Sequence, residues 1–128
     1  MGMEVVESVM RIIWRCRIKC TLKFWALENP TGYLRQFLGR PYFTFEQWQY
    51  GEQILKKTDI WGYFKTPTPT VKKKPIIIVE KYPSGRVNAK DYNKPKCPPE
   101  YKHLKLNCAA LRAITPKGFA KAFFEKNQ

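Results

Sequence analysis

At 128 residues and 44% hydrophobic content, the chain can bury one modest core and is too apolar for wholesale disorder. No run approaches the ~20 apolar residues of a membrane span, and Met1-Gly2-Met3-Glu4 opens no signal peptide, so the expected address is cytoplasmic, with no membrane partner. The net charge of +14 is uneven, with ten Lys/Arg against six Asp/Glu in residues 1–65 and fourteen against four in residues 66–128; it predicts a polyanion partner, because each cation that neutralises a phosphate releases condensed counterions.

From Glu4 to Cys16, apolar residues at Val5, Val6, Val9, Met10, Ile12, Ile13 and Cys16 keep the three-and-four spacing of an amphipathic helix. Arg15, Arg17 and Lys19 load its exit, where positive charge suits the helix dipole. Leu22 to Leu27 is an apolar run of strand length. Helix, short basic connection and strand read as half of a βαβ unit, so the opening resembles the middle of a fold.

Tyr33 to Leu38 predicts about two helical turns closed by Gly39, with Pro41 preventing continuation. Tyr42 to Phe45 reads as a short strand, while Thr44-Phe45-Glu46-Gln47 also fits a helix-opening capping box. Lys65 to Pro75 is a loop carrying Lys72-Lys73-Lys74, and Ile76 to Val79 is a strand. Pro83-Ser84-Gly85 turns the chain back into Arg86-Val87-Asn88 as the second arm of a hairpin. Asn93 to Pro99 is a proline-broken loop. Thr115 as N-cap and Pro116 at the first helical position open a last helix, with Phe119, Ala122, Phe123 and Lys126 on one face.

Four cysteines in a cytosolic chain do not make a disulfide framework. Cys97, His103 and Cys108 lack the paired spacing of a zinc site, so no metal is expected. A single histidine without a serine or cysteine pattern around it offers no catalytic triad. Trp14, Trp25, Trp48 and Trp61 are read as core and turn packing.

The most informative run is Phe24-Trp25-Ala26-Leu27-Glu28-Asn29-Pro30-Thr31-Gly32, an apolar strand ending in a carboxylate, an amide, a proline and a glycine. In open α/β sheets, ligand-contacting groups sit just past the carboxyl ends of strands. A tripeptide alone is also explained as a strand-to-turn break without chemistry. Further blocks follow in order: Leu34-Arg35-Gln36-Phe37-Leu38-Gly39, then Gln49-Tyr50-Gly51 with Lys56-Lys57-Thr58-Asp59-Ile60-Trp61-Gly62, then Arg112 through Phe124. Together with Glu28-Asn29-Pro30 they resemble the C-terminal part of DNA cytosine-5 methyltransferases of the phage and prophage type. Residues 72–106 match none of these blocks and fall where such enzymes vary for target recognition.

That resemblance implies a fold and a chemistry. The fold is α/β, a partial Rossmann-like methyltransferase sheet with strands near Leu22–Leu27 and Ile76–Val79, helices at both ends and a basic variable region. As a single domain, it divides into residues 1–65 carrying Glu-Asn-Pro, a variable region over 66–111, and a C-terminal helix over 112–128. In the family, a cysteine thiolate attacks position 6 of a flipped cytosine. The Glu of Glu-Asn-Pro contacts ring nitrogen 3 and the exocyclic amine, stabilising the charge that develops. Carried over, Glu28 takes that role, protonated or sharing a proton in a partly buried site, and Asn29 and Pro30 shape the turn that aims it. Lys56, Lys57 and Arg112 are the DNA contacts the resemblance implies; apart from it, Lys72, Lys73 and Lys74 read most simply as a solvated loop, with phosphate contact to DNA as the second reading.

Two family elements have no counterpart. The glycines are isolated, so no Gly-rich loop cradles S-adenosylmethionine. No Pro-Cys nucleophile loop precedes Glu28, and Cys97 follows Lys96 rather than a proline. Asn29-Pro30-Thr31-Gly32 does not match the Asn/Asp-Pro-Pro-aromatic motif of adenine methylases. The expectation is a fragment or subunit that is inactive alone and holds no cofactor itself, with a second polypeptide supplying the missing half. The alternatives are a stand-alone basic DNA-binding module derived from a methylase and an unrelated basic structural or RNA-binding protein.

Overall fold

Helix α1 spans Gly2–Lys19, extending the expected Glu4–Cys16 at both ends in the computed structural model, which describes residues 2–52, 54–76, 80–81, 83–84, 87–88 and 97–128. Val6 is buried, with Val9, Met10, Ile13 and Cys16 half-buried along the same face. Val5, Ile12, Trp14 and Ile18 remain exposed, so the apolar arc is wider than the surface that covers it. No helix among the described residues is long and apolar enough to cross a membrane.

Strand β1 is Trp25–Pro30, shifted toward the C-terminus from the expected Leu22–Leu27. Pairing decides the frame, because Trp25 to Pro30 align with Tyr63 to Thr58 of a strand the sequence did not disclose. Glu-Asn-Pro therefore forms the last three residues of the strand and does not lie past its end. Proline is tolerated there because β1 lies at the edge of the sheet.

A four-residue helix α2, Arg35–Leu38, replaces the expected Tyr33–Leu38 and is closed by Gly39 at φ 71°. Strand β2, Phe43–Glu46, runs into a 3-10 turn over Gln47–Tyr50. The strand reading of this boundary holds, and the cap is formed two residues later than the Thr44–Gln47 box. The Glu46 backbone N–H donates to Gln49 Oε1 at 2.8 Å.

Strand β3, Lys57–Tyr63, is the centre of the sheet, in the order β1-β3-β2, and both of its pairings are antiparallel. The chain thus mixes helices with a small antiparallel sheet. A Rossmann-like sheet is built from parallel pairs joined by crossovers, and the helix–strand opening expected as half of a βαβ unit instead feeds an antiparallel edge.

The segment from Lys65 to Pro75 is a loop as expected. Ile76 lies outside any strand, and the rest of the expected Ile76–Val79 strand falls outside the described residues. Glu80–Lys81 (β4) pairs antiparallel with Val87–Asn88 (β5), in line with the predicted hairpin. Of the expected Asn93–Pro99 loop, only Cys97 to Pro99 are described. A 3-10 segment over Pro99–Leu104 and helix α3, Cys108–Ala113, come next. The last helix, α4, spans Lys117–Lys126, with Pro116 rather than Thr115 at the N-cap.

Asp59 is 0% exposed at the middle of β3, and three separate elements converge on it. Arg35 grips both carboxylate oxygens, Nε to Oδ2 at 2.6 Å and Nη2 to Oδ1 at 2.7 Å. Thr31 and Thr44 donate their hydroxyls to Oδ1 at 2.9 and 2.8 Å. The Arg35 bonds above all hold the carboxyl below the ordinary carboxylate range, against the opposing effect of burial. The network pins the turn after β1, helix α2 and strand β2 to the central strand.

On the other side, rings join α4 to the sheet. Phe45 stacks on Phe119 with centroids 4.1 Å apart, and Tyr50 meets both edge-on. Ile60 and Phe64 complete the buried cluster, with Phe43, Ala122 and Phe123 against it. The Tyr50 hydroxyl donates to the Pro67 carbonyl at 3.0 Å, and burial pushes the phenol up to about 12. Asn127 fastens the chain end, accepting from the Lys65 N–H at 2.7 Å and donating to the Lys65 carbonyl at 3.0 Å. This closeness requires Gly118, where a Cβ would lie 1.9 Å from the Tyr50 carbonyl oxygen. A Cβ at Gly62 would lie 2.2 Å from the Trp25 carbonyl oxygen, so the β1–β3 approach also depends on glycine.

Two outcomes follow for stability. Asp59→Asn should lower the unfolding free energy by about 3 kcal/mol at pH 7, since a buried charge network loses its acceptor. Because the folded carboxyl titrates below its unfolded value, its contribution is complete above about pH 5 and is lost as pH falls through the folded value. Urea denaturation should therefore show the gap between parent and variant closing in acid. Gly118→Ala should destabilise by about 2 kcal/mol in the same assay, because overpacking against a backbone carbonyl outweighs the ~1 kcal/mol that alanine gains in a helix.

Candidate functional site

Along β1 the half-buried side chains are Trp25, Leu27 and Asn29, while Ala26, Glu28 and Pro30 are exposed. Strand alternation thus turns Glu28 away from the side that packs. Asn29 Nδ2 donates to the Pro30 carbonyl at 2.9 Å, folding the amide onto its own backbone. The Thr31 N–H continues the pairing to the Lys57 carbonyl at 2.9 Å. Asn29 and Pro30 therefore shape the exit from the strand, and Glu28 is the residue of the three with a side-chain acid to offer.

Glu28 opens into a cleft of about 670 Å³ between β1 and α3, lined also by Asn29, Pro30, Lys56 and Arg112. Helix α3 starts at Asn107, whose Oδ1 accepts the Ala110 N–H at 2.8 Å. It presents Cys108, Ala109 and Ala113 to the cleft, small side chains that leave the space open. The Lys56 ammonium donates to the Arg112 carbonyl at 2.7 Å and bridges strand and helix. The cleft walls push the Glu28 carboxyl above the ordinary carboxylate range, and the charge of Lys56 opposes that shift. Glu28 thus keeps a path to solvent while releasing its proton at a higher pH than an ordinary carboxylate.

A second cavity of about 210 Å³ lies beyond Lys56 and Arg112, which line both spaces. Its walls include Ile54, Leu111, Ile114 and Pro116, with the buried Gln47 among them.

Of the sequence-derived candidates, Glu28, Asn29, Pro30, Lys56 and Arg112 meet at one cleft, although 84 positions separate Glu28 from Arg112 in the chain. The remaining lysines are elsewhere. Lys57 is exposed at the start of β3, opposite Glu46. Lys72, Lys73 and Lys74 are exposed on a loop tied down by the Thr70 and Val71 N–H groups, both donating to the Gln49 carbonyl at 3.0 Å. Lys74 pairs with Glu46 of β2 at 3.8 Å, on the sheet edge opposite β1. Cys108 is the residue that sequence reasoning did not place here; the signal available was Asn107 as a cap before Cys-Ala-Ala-Leu. No group of three metal-ligating side chains gathers among the described residues, and the four cysteines are free. No family model, curated protein or solved structure matches the chain.

The cleft's effect on Glu28 has a stability signature of opposite sign to that of Asp59. An acid whose folded pKa lies above its unfolded value loses stability as pH rises through that window. Glu28→Gln should accordingly raise the thermal midpoint at pH 7 relative to the parent, with the gain vanishing in acid.

Proposed function

We propose that the chain is the base-contacting part of a DNA cytosine-5 methyltransferase, with Glu28 as the carboxyl that meets the target cytosine. The observation that carries this reading is the meeting of Glu28, Lys56 and Arg112, from three separated sequence blocks, around one open cleft. In its protonated form such a carboxyl can donate to ring nitrogen 3 and accept from the exocyclic amine. As a thiolate adds at position 6, electron density moves toward that nitrogen, and the Glu28 proton meets it there.

Two of the described glycines leave no room for S-adenosylmethionine. Gly62 and Gly118, where a close backbone approach is used, are filled by this chain's own Trp25 and Tyr50 carbonyls. The methyl donor and the nucleophilic cysteine come, in this reading, from a second polypeptide. In this reading the antiparallel sheet closes a larger Rossmann-like sheet whose parallel strands are in that partner. The uncovered apolar flank of α1 and the outer edge of β1 are the surfaces suited to receive it. The exposed lysines at 72–74 contact phosphates at a distance from the reacting base.

Fluorescence anisotropy tests the base contact on the isolated chain. A duplex with cytosine opposite an abasic site should bind about tenfold more tightly than one with thymine, whose ring nitrogen carries a hydrogen. Glu28→Ala should erase that preference while leaving the salt slope unchanged. Glu28→Gln should keep the ground-state preference and abolish methyl transfer once the complementing half is added. Steep salt dependence with no cytosine preference in the parent would instead identify a stand-alone basic DNA-binding module.

A further inference from the structure

We propose that Lys56 is a positioning residue for Glu28, a strut that fixes α3 over the strand and stands as a fixed positive charge in the cleft. The proposal rests on the base-contact reading for its purpose, while its geometry stands independently. Lys56 is half-buried just before β3, and its ammonium is held 2.7 Å from the Arg112 carbonyl. Arg112 lies in the last turn of α3, where carbonyl oxygens lack helical donors and the dipole favours a cation.

Helix α3 needs such a tether. It is six residues long, and none of them is buried, so packing contributes little to keeping it in place. Yet it forms one wall of the Glu28 cleft. Lys56 also lines the neighbouring 210 Å³ cavity, which places it on the ridge between the two spaces.

The ionisable groups around Glu28 in the cleft are Lys56 from the strand side and Cys108 and Arg112 from α3, with no second carboxylate among the described lining residues. Burial and Lys56 act on the Glu28 carboxyl in opposite directions. Without the lysine, the acid would hold its proton to higher pH. With it, the group stays exchangeable, as a residue that must both give and regain a proton requires. A lysine committed in this way is not free to serve as a phosphate contact, which distinguishes Lys56 from Lys57, Lys72 and Lys73.

The test uses the full chain carrying carboxyl-13C glutamate, with Glu28 assigned by Glu28→Gln and titrated by NMR. In Lys56→Met and Lys56→Gln the Glu28 midpoint should move to higher pH, whereas Lys56→Arg should retain the parent value. Amide exchange over Cys108–Ala113 should quicken by about tenfold in Lys56→Met and return to the parent rate in Lys56→Arg. An unmoved midpoint in either neutral variant overturns the charge role, and unchanged α3 exchange in Lys56→Met overturns the strut. If Lys56→Met does not fold, Lys56→Gln against Lys56→Arg decides both roles. Neither readout involves DNA, so failure here leaves the cytosine preference to be judged separately, and failure of that preference leaves Lys56 to be judged by these measurements.

Discussion

The carboxylate of Asp59 is the constraint on which the rest of the sheet depends. A charge at 0% exposure is tolerable only when donors replace the water it has lost. Arg35 and the hydroxyls of Thr31 and Thr44 supply them. Each donor comes from a different element, so satisfying the charge also fixes the topology. Thr31 brings in the chain just after Glu-Asn-Pro, Arg35 brings in α2, and Thr44 aligns β2. With the turn after Pro30 held this way, Glu28 occupies a set position on a strand that has one neighbour among the described residues.

The aromatic stack does for the C-terminal half what Asp59 does for the turn. Phe119 lies flat on Phe45, Gly118 lets α4 touch the Tyr50 backbone, and Asn127 stitches the chain end to Lys65. Because α4 is fixed, the short stretch from Ala113 to Pro116 delivers α3 to the cleft. Lys117 pairs with Glu100 as a further link between α4 and the segment preceding α3. The cleft is thus assembled from a wall that packing anchors weakly and a strand at the sheet edge, both held by well-anchored neighbours.

The parts of this arrangement that were legible in the sequence are those with local causes. Periodicity disclosed α1 and the buried face of α4, Gly39 marked the end of α2, and Pro83-Ser84 marked the hairpin. The frame of β1 was not legible, because Leu22 to Leu27 is the more apolar run and only pairing with β3 selects Trp25–Pro30. β3 itself was hidden by its burial on both faces. Thr58, Asp59, Ile60 and Trp61 are all buried, which removes the alternation that identifies a strand, and Asp and Gly are poor strand formers. Helix α3 is too short to show a period. Glu28, Lys56 and Arg112 were each singled out through the order of family-like blocks, but their meeting at one cleft was not legible, and Cys108 stood out only as a metal candidate.

Asp59 and Glu28 stand on adjacent strands, one with each kind of environment a protein can give a carboxylate. Asp59 is buried deeply but surrounded by donors, so its charge is favoured and its geometry is rigid. Glu28 is less buried, and among the described residues no hydrogen-bond donor to its carboxylate balances the crowding of the cleft, while the charge of Lys56 opposes it. A carboxylate that serves the fold belongs in the first environment, because a bound proton there would release the network. One that exchanges a proton with a ligand belongs in the second, where no network locks the charged state. Holding Glu28 this way costs stability at neutral pH that a carboxylate satisfied like Asp59 does not lose.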